Sequence, residues 1–177
     1  MSPPLPDRIE PKRLAARDAV LTGTLWLKSM PRLSAAVLDK DGPIEVRLEF
    51  HRDEEGRDRA TGRVAATLQV TCQRCLQAME LSIDEAVDLC FLLTEKGATT
   101  LAPTCEPVLL ESGLVTLTTM IEDQLLLALP FAPVHAPGSD NCREIAGAEV
   151  PENNGEAGRQ HPFAELAGLK TRAGRED

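Results

Sequence analysis

The sequence predicts an α+β fold, in which an antiparallel sheet is capped by one helix and followed by a flexible C-terminal segment. Whether the sheet curls toward a barrel is left open at this stage. Three observations lead to this prediction. Apolar and polar residues alternate along several runs joined by short connections, a helix-start signal opens one apolar run, and residues 136–160 are rich in Gly, Asn, Glu and Pro.

The strands are predicted from this alternation. Along residues 44–50 the even positions are apolar and the odd positions are charged. Along residues 64–72 the even positions are again apolar, and Thr67, Gln69 and Thr71 are polar. Residues 81–93 carry apolar side chains at odd positions except at Glu85, where a bulge or an edge position is expected. These three runs should pair antiparallel because their connections are short. Residues 20–27 are predicted as a further strand.

Two helices are predicted from their start signals. Pro11 suits the first turn of a short helix over residues 10–17. Thr119 and Glu122 have the spacing of a capping box, in which the threonine and the glutamate satisfy backbone N–H groups at the start of a helix. This second helix should end near Leu129, because a proline follows.

The chain is expected to contain one main domain. Residues 94–114 are weakly patterned and are predicted as a loop. The domain is predicted to span residues 1–135, followed by a flexible linker over residues 136–160 and by a short helix and tail over residues 161–177.

Composition narrows the function classes. Only 3 % of the 177 residues are aromatic and the net charge is −9, so neither base stacking nor a wholly basic surface can drive nucleic-acid binding. No apolar leader or membrane-spanning stretch is present, which predicts a cytoplasmic protein that contacts no membrane. Hydrolase, nucleotide-binding and dinucleotide-binding motifs are missing, so the chain is predicted to be no enzyme and to have no small-molecule substrate.

A metal site is the sharpest chemical prediction. Cys72 and Cys75 form a Cys-x-x-Cys pair, and His135 and Cys142 offer two further ligands, which together would complete a tetrahedral structural zinc site. The alternative is that Cys72 is an ordinary buried thiol of its strand. The other two cysteines have no partner spacing, and Cys90 is interpreted as an ordinary strand residue.

The same pair of thiols also allows a redox hypothesis. A Cys-x-x-Cys motif becomes reactive when it opens a helix, whose N-terminus lowers the pKa of the thiol. Here a strand pattern follows the motif, which favours the metal site over thiol–disulfide exchange.

Candidate partner-binding residues lie in three places. The front of the chain is locally basic, with six basic residues against three acidic ones in residues 1–35, and Arg74 lies in the turn between the two thiols. Phe163 and Leu166 form a short apolar stripe that either docks back on the domain or binds another molecule. The basic side chains at the front that could meet phosphate groups are Lys12, Arg13 and Arg17.

Four segments carry a family resemblance. They are Cys72-Gln73-Arg74-Cys75, residues 121–130, residues 133–135 with Cys142, and residues 162–170. Their order and combination resemble the bacterial YceD family of large ribosomal RNA subunit accumulation proteins. The resemblance implies a role in the accumulation of 23S rRNA and in assembly of the large subunit, and no enzymatic activity is established for the family.

Together these observations predict a non-catalytic factor that supports 23S rRNA accumulation. Its expected partners are the large-subunit rRNA or a precursor particle, a basic ribosomal protein, or both. The alternative is a zinc- or thiol-dependent redox protein that uses Cys72 and Cys75.

Overall fold

The computed structural model describes residues 5–94, 101, 105–136, 139 and 142. These residues form an α+β fold, which confirms the predicted class. Within this part of the chain, three helices and seven strands follow one another, with one 3₁₀ turn at Leu27–Ser29. In chain order they are β1 (Arg8–Ile9), α1 (Pro11–Ala15), β2 (Val20–Trp26), α2 (Pro31–Ala36), β3 (Pro43–Arg52), β4 (Asp58–Thr71), β5 (Ala78–Leu92), β6 (Glu106–Leu109), β7 (Val115–Thr116) and α3 (Leu117–Ala128).

The main sheet has the strand order β2-β3-β4-β5-β6. The first four strands pair antiparallel with their neighbours, as predicted, and β6 adds to β5 in parallel. Along β3, buried and exposed residues alternate from Pro43 to Phe50, because one face of the strand meets the core and the other meets solvent. β1 and β7 form a separate two-stranded sheet.

The sheet stays open rather than curling into a barrel. Among the described residues, β2 and β6 are the two outer strands, and neither pairs with the other. Glu85 pairs with Val64 in an unbroken one-to-one ladder, so the predicted bulge does not form. β5 pairs with β6 only over Leu89–Leu92, so Glu85 lies where β5 has a neighbour on one side, which agrees with the edge position.

One apolar core joins the sheet to α2 and α3. Side chains from one face of the sheet are fully buried against residues of the two helices. Burial of each such side chain contributes about 1.5–3 kcal/mol. The largest fully buried side chains of this core include Leu33, Leu48, Phe50, Leu68, Leu89, Leu117, Ile121 and Leu125.

The start of α3 differs from the prediction. The helix begins at Leu117, two residues before Thr119, and no side chain caps it. The capping-box prediction is therefore wrong. Glu122 is instead buried and accepts hydrogen bonds from the backbone N–H groups of Arg32 and Leu33, at 2.7 and 3.0 Å.

Four elements were not predicted at all, namely the two-residue strands β1 and β7, and also β6 and α2. β6 lies within the predicted loop over residues 94–114, and α2 has only six residues, too few to show a helical pattern. The predicted linker, apart from residues 136, 139 and 142, lies outside the described residues, and so does the predicted C-terminal helix. The predicted domain boundaries therefore stay predictions.

Cys90 and Cys105 form a disulfide, with their Cα atoms 5.8 Å apart. The prediction that Cys90 is an ordinary strand residue is wrong, and the two cysteines pair although their spacing in the sequence indicated no partner. The pairing follows from the register of the sheet rather than from sequence spacing. Cys90 is aligned with Pro107 of β6, and Cys105 immediately precedes that strand.

Candidate metal centre

The turn between β4 and β5 positions the first two thiols. The ladder of these strands ends at Thr71 and Ala78, and the turn is closed by a bond from the Cys72 N–H to the carbonyl of Gln77 at 2.9 Å. A second bond, from the N–H of Leu76 to the carbonyl of Cys72, tightens the turn, and Leu76 takes a positive φ of 62°. Cys72 and Cys75 are both buried as a result.

The segment after α3 brings the other two ligands to this turn. Pro130 follows the helix, and the carbonyl of Pro133 accepts a hydrogen bond from the N–H of Gln73 at 2.8 Å. His135 therefore lies beside the turn. Cys142 donates its own N–H to the carbonyl of Ser139 and is 1 % exposed.

The four predicted ligands come together in space. Their ligand atoms all lie within 4.8 Å of one another. Cys75 Sγ is 3.4 Å from His135 Nδ1, and Cys72 Sγ is 4.0 Å from Cys142 Sγ. A tetrahedral zinc ion with Zn–S bonds of about 2.3 Å needs sulfur atoms about 3.8 Å apart. The arrangement can therefore hold a metal ion with little movement of the side chains.

The pKa values of Cys72 and Cys142 are shifted in opposite directions. Burial acts to raise the pKa of Cys72, but hydrogen bonds from the backbone N–H groups of Cys75, His135 and Arg74 outweigh it and lower this pKa to about 5. Burial raises the pKa of Cys142, and hydrogen bonds with Cys75 and Cys72 raise it further. The centre thus favours a thiolate at Cys72, which is the form that binds metal.

Arg74 contacts two thiols of the candidate metal centre and is also exposed to solvent. Its backbone N–H lies 3.4 Å from Cys72 Sγ, and its guanidinium lies 3.9 Å from Cys142 Sγ. Arg74 is exposed, and none of the ion pairs among the described residues includes it. A guanidinium at this position offsets negative charge on the thiolates.

The remaining predicted residues do not join the centre. Lys12 and Arg13 are exposed on α1, and Arg17 is exposed just after it. No described hydrogen bond or ion pair links any of the three to the cysteines. Phe163 and Leu166 lie outside the described residues.

Sequence reasoning missed two pairings that the structure shows, the Cys90–Cys105 disulfide and the Glu122–Arg32 contact. Counting cysteines offered a weak signal for the first, because three of the five are used in the predicted metal site and two are left over. Glu122 and Arg32 are 90 residues apart, and no local pattern connects them.

Within the described residues, no helix is both long enough and apolar enough to cross a membrane.

Comparisons with known proteins agree with the resemblance. The family model described as "Large ribosomal RNA subunit accumulation protein YceD" matches residues 60–170. A protein of Haemophilus influenzae with the same description is 29 % identical over 171 residues, which cover 94 % of this chain and 96 % of the relative. No solved structure matches the chain. The matched residues include all four residues of the candidate metal centre, and the chain belongs to the YceD family.

Proposed function

We propose that this chain supports the accumulation of large-subunit ribosomal RNA, in the cytoplasm, by binding the precursor of the large subunit rather than by catalysis. The observation that carries the proposal is the match to a relative of that description along 96 % of the relative's length. A match over both chains' length favours a shared role more strongly than a match to one motif would.

The distribution of charge suggests how the chain contacts RNA. In the part of the chain that the structure describes, seven basic side chains form ion pairs with acidic neighbours, and these are Lys28, Arg32, Arg47, Arg52, Arg57, Arg59 and Arg63. Among the described residues, Lys12, Arg13 and Arg17 form no ion pair although all three are exposed. Unpaired cations close together in the chain are available to neutralise phosphate groups. We assign the RNA contact to these three residues, with Arg74 as a further contact.

We propose that the metal centre holds a structural zinc ion. Zinc accepts three thiolates and one imidazole in a tetrahedral arrangement, and all four ligands here are protein side chains, which leaves no open position for a substrate. When bound, the ion would tie residues 133–142 to the turn between β4 and β5 and so contribute to folding. Phe163 and Leu166 stay a predicted contact for a partner protein.

Rescue of a deletion strain tests the RNA-binding role. Cells that lack the protein should accumulate less 23S rRNA relative to 16S rRNA, and the wild-type chain should restore the ratio. The triple variant Lys12→Gln, Arg13→Gln, Arg17→Gln should fail to restore it. The matched control Lys28→Gln, Arg47→Gln, Arg63→Gln removes the same charge from exposed ion pairs and should rescue.

The proposal would be abandoned on either of two results. One is an unchanged 23S to 16S ratio in the deletion strain. The other is that neither a large-subunit precursor nor a ribosomal protein is crosslinked to the tagged wild-type chain in cells.

Thiol–disulfide exchange is the competing function for Cys72 and Cys75. The pair lies in a turn between two strands and not at the start of a helix, and both sulfur atoms are buried, which is unfavourable for attack on a protein disulfide. An insulin-reduction assay on the purified chain separates the two functions. Reductase activity that disappears in Cys72→Ser would favour the redox function over the binding role.

A further inference from the structure

A second candidate site lies beside α3. A cavity of about 590 Å³, open to solvent, is formed by β6, the connection that follows it, β7 and α3. A smaller cavity of about 290 Å³ adjoins it and shares Glu106, Gln124 and Leu127. We call the two together the α3–β6 groove. Its size is in the range of ligand-binding sites in proteins.

The floor of the α3–β6 groove is apolar. Val108, Leu114, Val115 and Met120 line the larger cavity. Leu127 also lines it, although this side chain is 71 % exposed. Exposed apolar side chains that line a concave surface indicate a place where another apolar group can be buried.

The rim of the groove is acidic. Five carboxylates and one guanidinium line the two cavities. They are Glu85, Asp88, Glu106, Glu111 and Asp123 against Arg8. A rim of this sign repels the phosphates of RNA and attracts cationic groups.

Two of these carboxylates differ from the others in their contacts with the described residues. Asp88 pairs with Arg59 and Asp123 pairs with Arg32, so their charges are offset within the chain. The side chains of Glu85 and Glu111 form no hydrogen bond or ion pair with any residue that the structure describes. Glu85 lines the smaller cavity and has only a longer-range electrostatic interaction with Arg63, and Glu111 lines the larger cavity, so each cavity includes a carboxylate that no described cation contacts directly.

We propose that the α3–β6 groove binds a Lys- and Arg-rich polypeptide segment that carries apolar anchor side chains. The anchors would be buried on the floor beside Met120 and Leu127, and the cations would meet Glu85 and Glu111. Charge argues against the chain's own residues 161–170 as the occupant, because they contain one Glu and one Lys and have no net formal charge. The inference rests on the proposed function in one respect, since it names the class of protein partner that a ribosome-assembly factor would hold.

Peptide binding to the purified full-length chain tests the inference. The probes are three synthetic 15-residue peptides, one of alternating Lys and Leu composition, one with Glu in place of Lys, and one with Ser in place of Leu. The Lys/Leu peptide should bind, the Glu/Leu peptide should not, and the Lys/Ser peptide should bind more weakly. Fluorescence anisotropy gives each Kd, and no ribosome or rRNA enters the assay.

Variants locate the binding site. Glu85→Lys with Glu111→Lys should weaken binding of the Lys/Leu peptide about tenfold. Leu127→Ser should weaken it about fivefold, and it leaves the core intact because the side chain is exposed. The matched control is Glu45→Lys with Glu54→Lys, which changes the charge equally at exposed residues that line neither cavity, and it should stay within twofold of wild type.

Three results would overturn the inference. The first is a Glu/Leu peptide that binds as tightly as the Lys/Leu peptide. The second is an equal loss of affinity in the groove variant and in its control, or no loss in either. The third is tighter peptide binding by Phe163→Ala with Leu166→Ala in the full chain, since this would identify the chain's own C-terminal segment as the occupant. Failure here would leave the rRNA rescue result unaffected.

Discussion

At the scale of single residues, Glu122 is the buried charge among the described residues. Its carboxylate accepts hydrogen bonds from two backbone N–H groups of α2 and from the guanidinium of Arg32. Both carboxylate oxygens therefore have a partner. A buried carboxylate is tolerated only when it is hydrogen-bonded in this way. Glu122 therefore joins α3 to α2 as a positioning residue, and the sequence alone suggested a different, purely local role.

Replacement of Glu122 by Gln should lower the free energy of unfolding by about 2 kcal/mol, because charge-assisted hydrogen bonds are lost at a buried site. Asp123→Asn is the matched control, since Asp123 also pairs with Arg32 but its side chain is 50 % exposed. That change should cost less than about 1 kcal/mol. Urea denaturation of both variants measures the difference, and equal losses would contradict a special role for Glu122.

Gly62 is a second residue whose role depends on its neighbours. It lies in β4, and a Cβ atom placed on it would overlap the backbone carbonyl of Arg47 in β3. We expect Gly62→Ala to lower the free energy of unfolding by about 2 kcal/mol or more, since the two strands must move apart. Gly42→Ala, where an added Cβ meets nothing within 4 Å, should change it by less than about 1 kcal/mol. Equal shifts of the denaturation curves for both variants would show that β3 and β4 move apart without a cost in free energy, which would contradict this expectation.

At the scale of elements, the turns of the sheet contain a paired carboxylate, Asp53, and two of the candidate metal ligands, Cys72 and Cys75. In the turn between β3 and β4, Asp53 accepts the backbone N–H of Arg57 at 2.8 Å and its guanidinium Nε at 2.6 Å. Burial acts to raise the pKa of Asp53, but these bonds from Arg57 outweigh it and lower the pKa below its ordinary value. The folded state therefore holds Asp53 as a carboxylate more strongly than the unfolded state does.

The sign of this shift predicts a pH dependence. A lowered pKa stabilises the fold above the ordinary Asp pKa of about 4, and the contribution is lost as the pH falls through the folded-state value. We expect Asp53→Asn to cost about 1–2 kcal/mol at pH 7, where two hydrogen bonds to a charged group are lost, and less below pH 4. Urea denaturation at several pH values measures this. Glu54→Gln, in the same turn, should show no such trend, and a constant cost for Asp53→Asn would refute the assignment.

The candidate ligands in the turn between β4 and β5 predict the zinc content of the purified chain. The wild-type chain should purify with about one zinc ion, and Cys142→Ser should bind much less, because a structural zinc site needs all four ligands. Loss of the ion should also lower the thermal midpoint by several degrees. Mass spectrometry of the metals and thermal denaturation provide the two readouts.

The control for this prediction is Cys90→Ser with Cys105→Ser. It removes two cysteines that lie in the disulfide and outside the metal centre, so its zinc content should equal that of the wild type. A wild-type chain without zinc after purification under reducing, chelator-free conditions would rule out the zinc centre. Equal zinc loss in both variants would rule out the assignment of ligands.

At the scale of the whole molecule, the cations and the carboxylates of the two proposed contacts lie on different parts of the fold. The net charge is −9, yet the unpaired cations Lys12, Arg13 and Arg17 lie together at the front of the chain. The carboxylates of Glu85 and Glu111 lie in the α3–β6 groove. If both proposed contacts form, the front of the chain would meet RNA and the groove would meet a basic polypeptide, because each surface repels the other's ligand.

The salt dependence of RNA binding tests this separation. If three phosphates are neutralised by the front of the chain, replacing Lys12, Arg13 and Arg17 by Gln should reduce the slope of log K against log salt by about 2 on single-stranded RNA. Filter binding of a large-subunit rRNA fragment at several salt concentrations measures the slope. The control Lys28→Gln, Arg47→Gln, Arg63→Gln should change it by less than about 1. Equal changes would show that the contact is spread over the surface.

The sequence by itself predicted the four strands β2 to β5 and named the four residues of the candidate metal centre. Alternation along β3, β4 and β5 records which face of each strand meets the core, and this information is local. The Cys-x-x-Cys pair was also local, because a turn between two strands holds both thiols within reach of one ion. His135 and Cys142 could be named as candidates because their side chains are typical zinc ligands and follow a proline that ends a helix.

Only the tertiary structure decided which distant groups meet. The ladder between β5 and β6 places Cys105 beside Cys90, and the packing of α3 on α2 places Glu122 against Arg32. The open sheet and the acidic groove likewise depend on how β6 adds to β5. Such contacts join residues 15 to 90 positions apart, and their geometry depends on strand register and helix packing, which no local pattern of residues records.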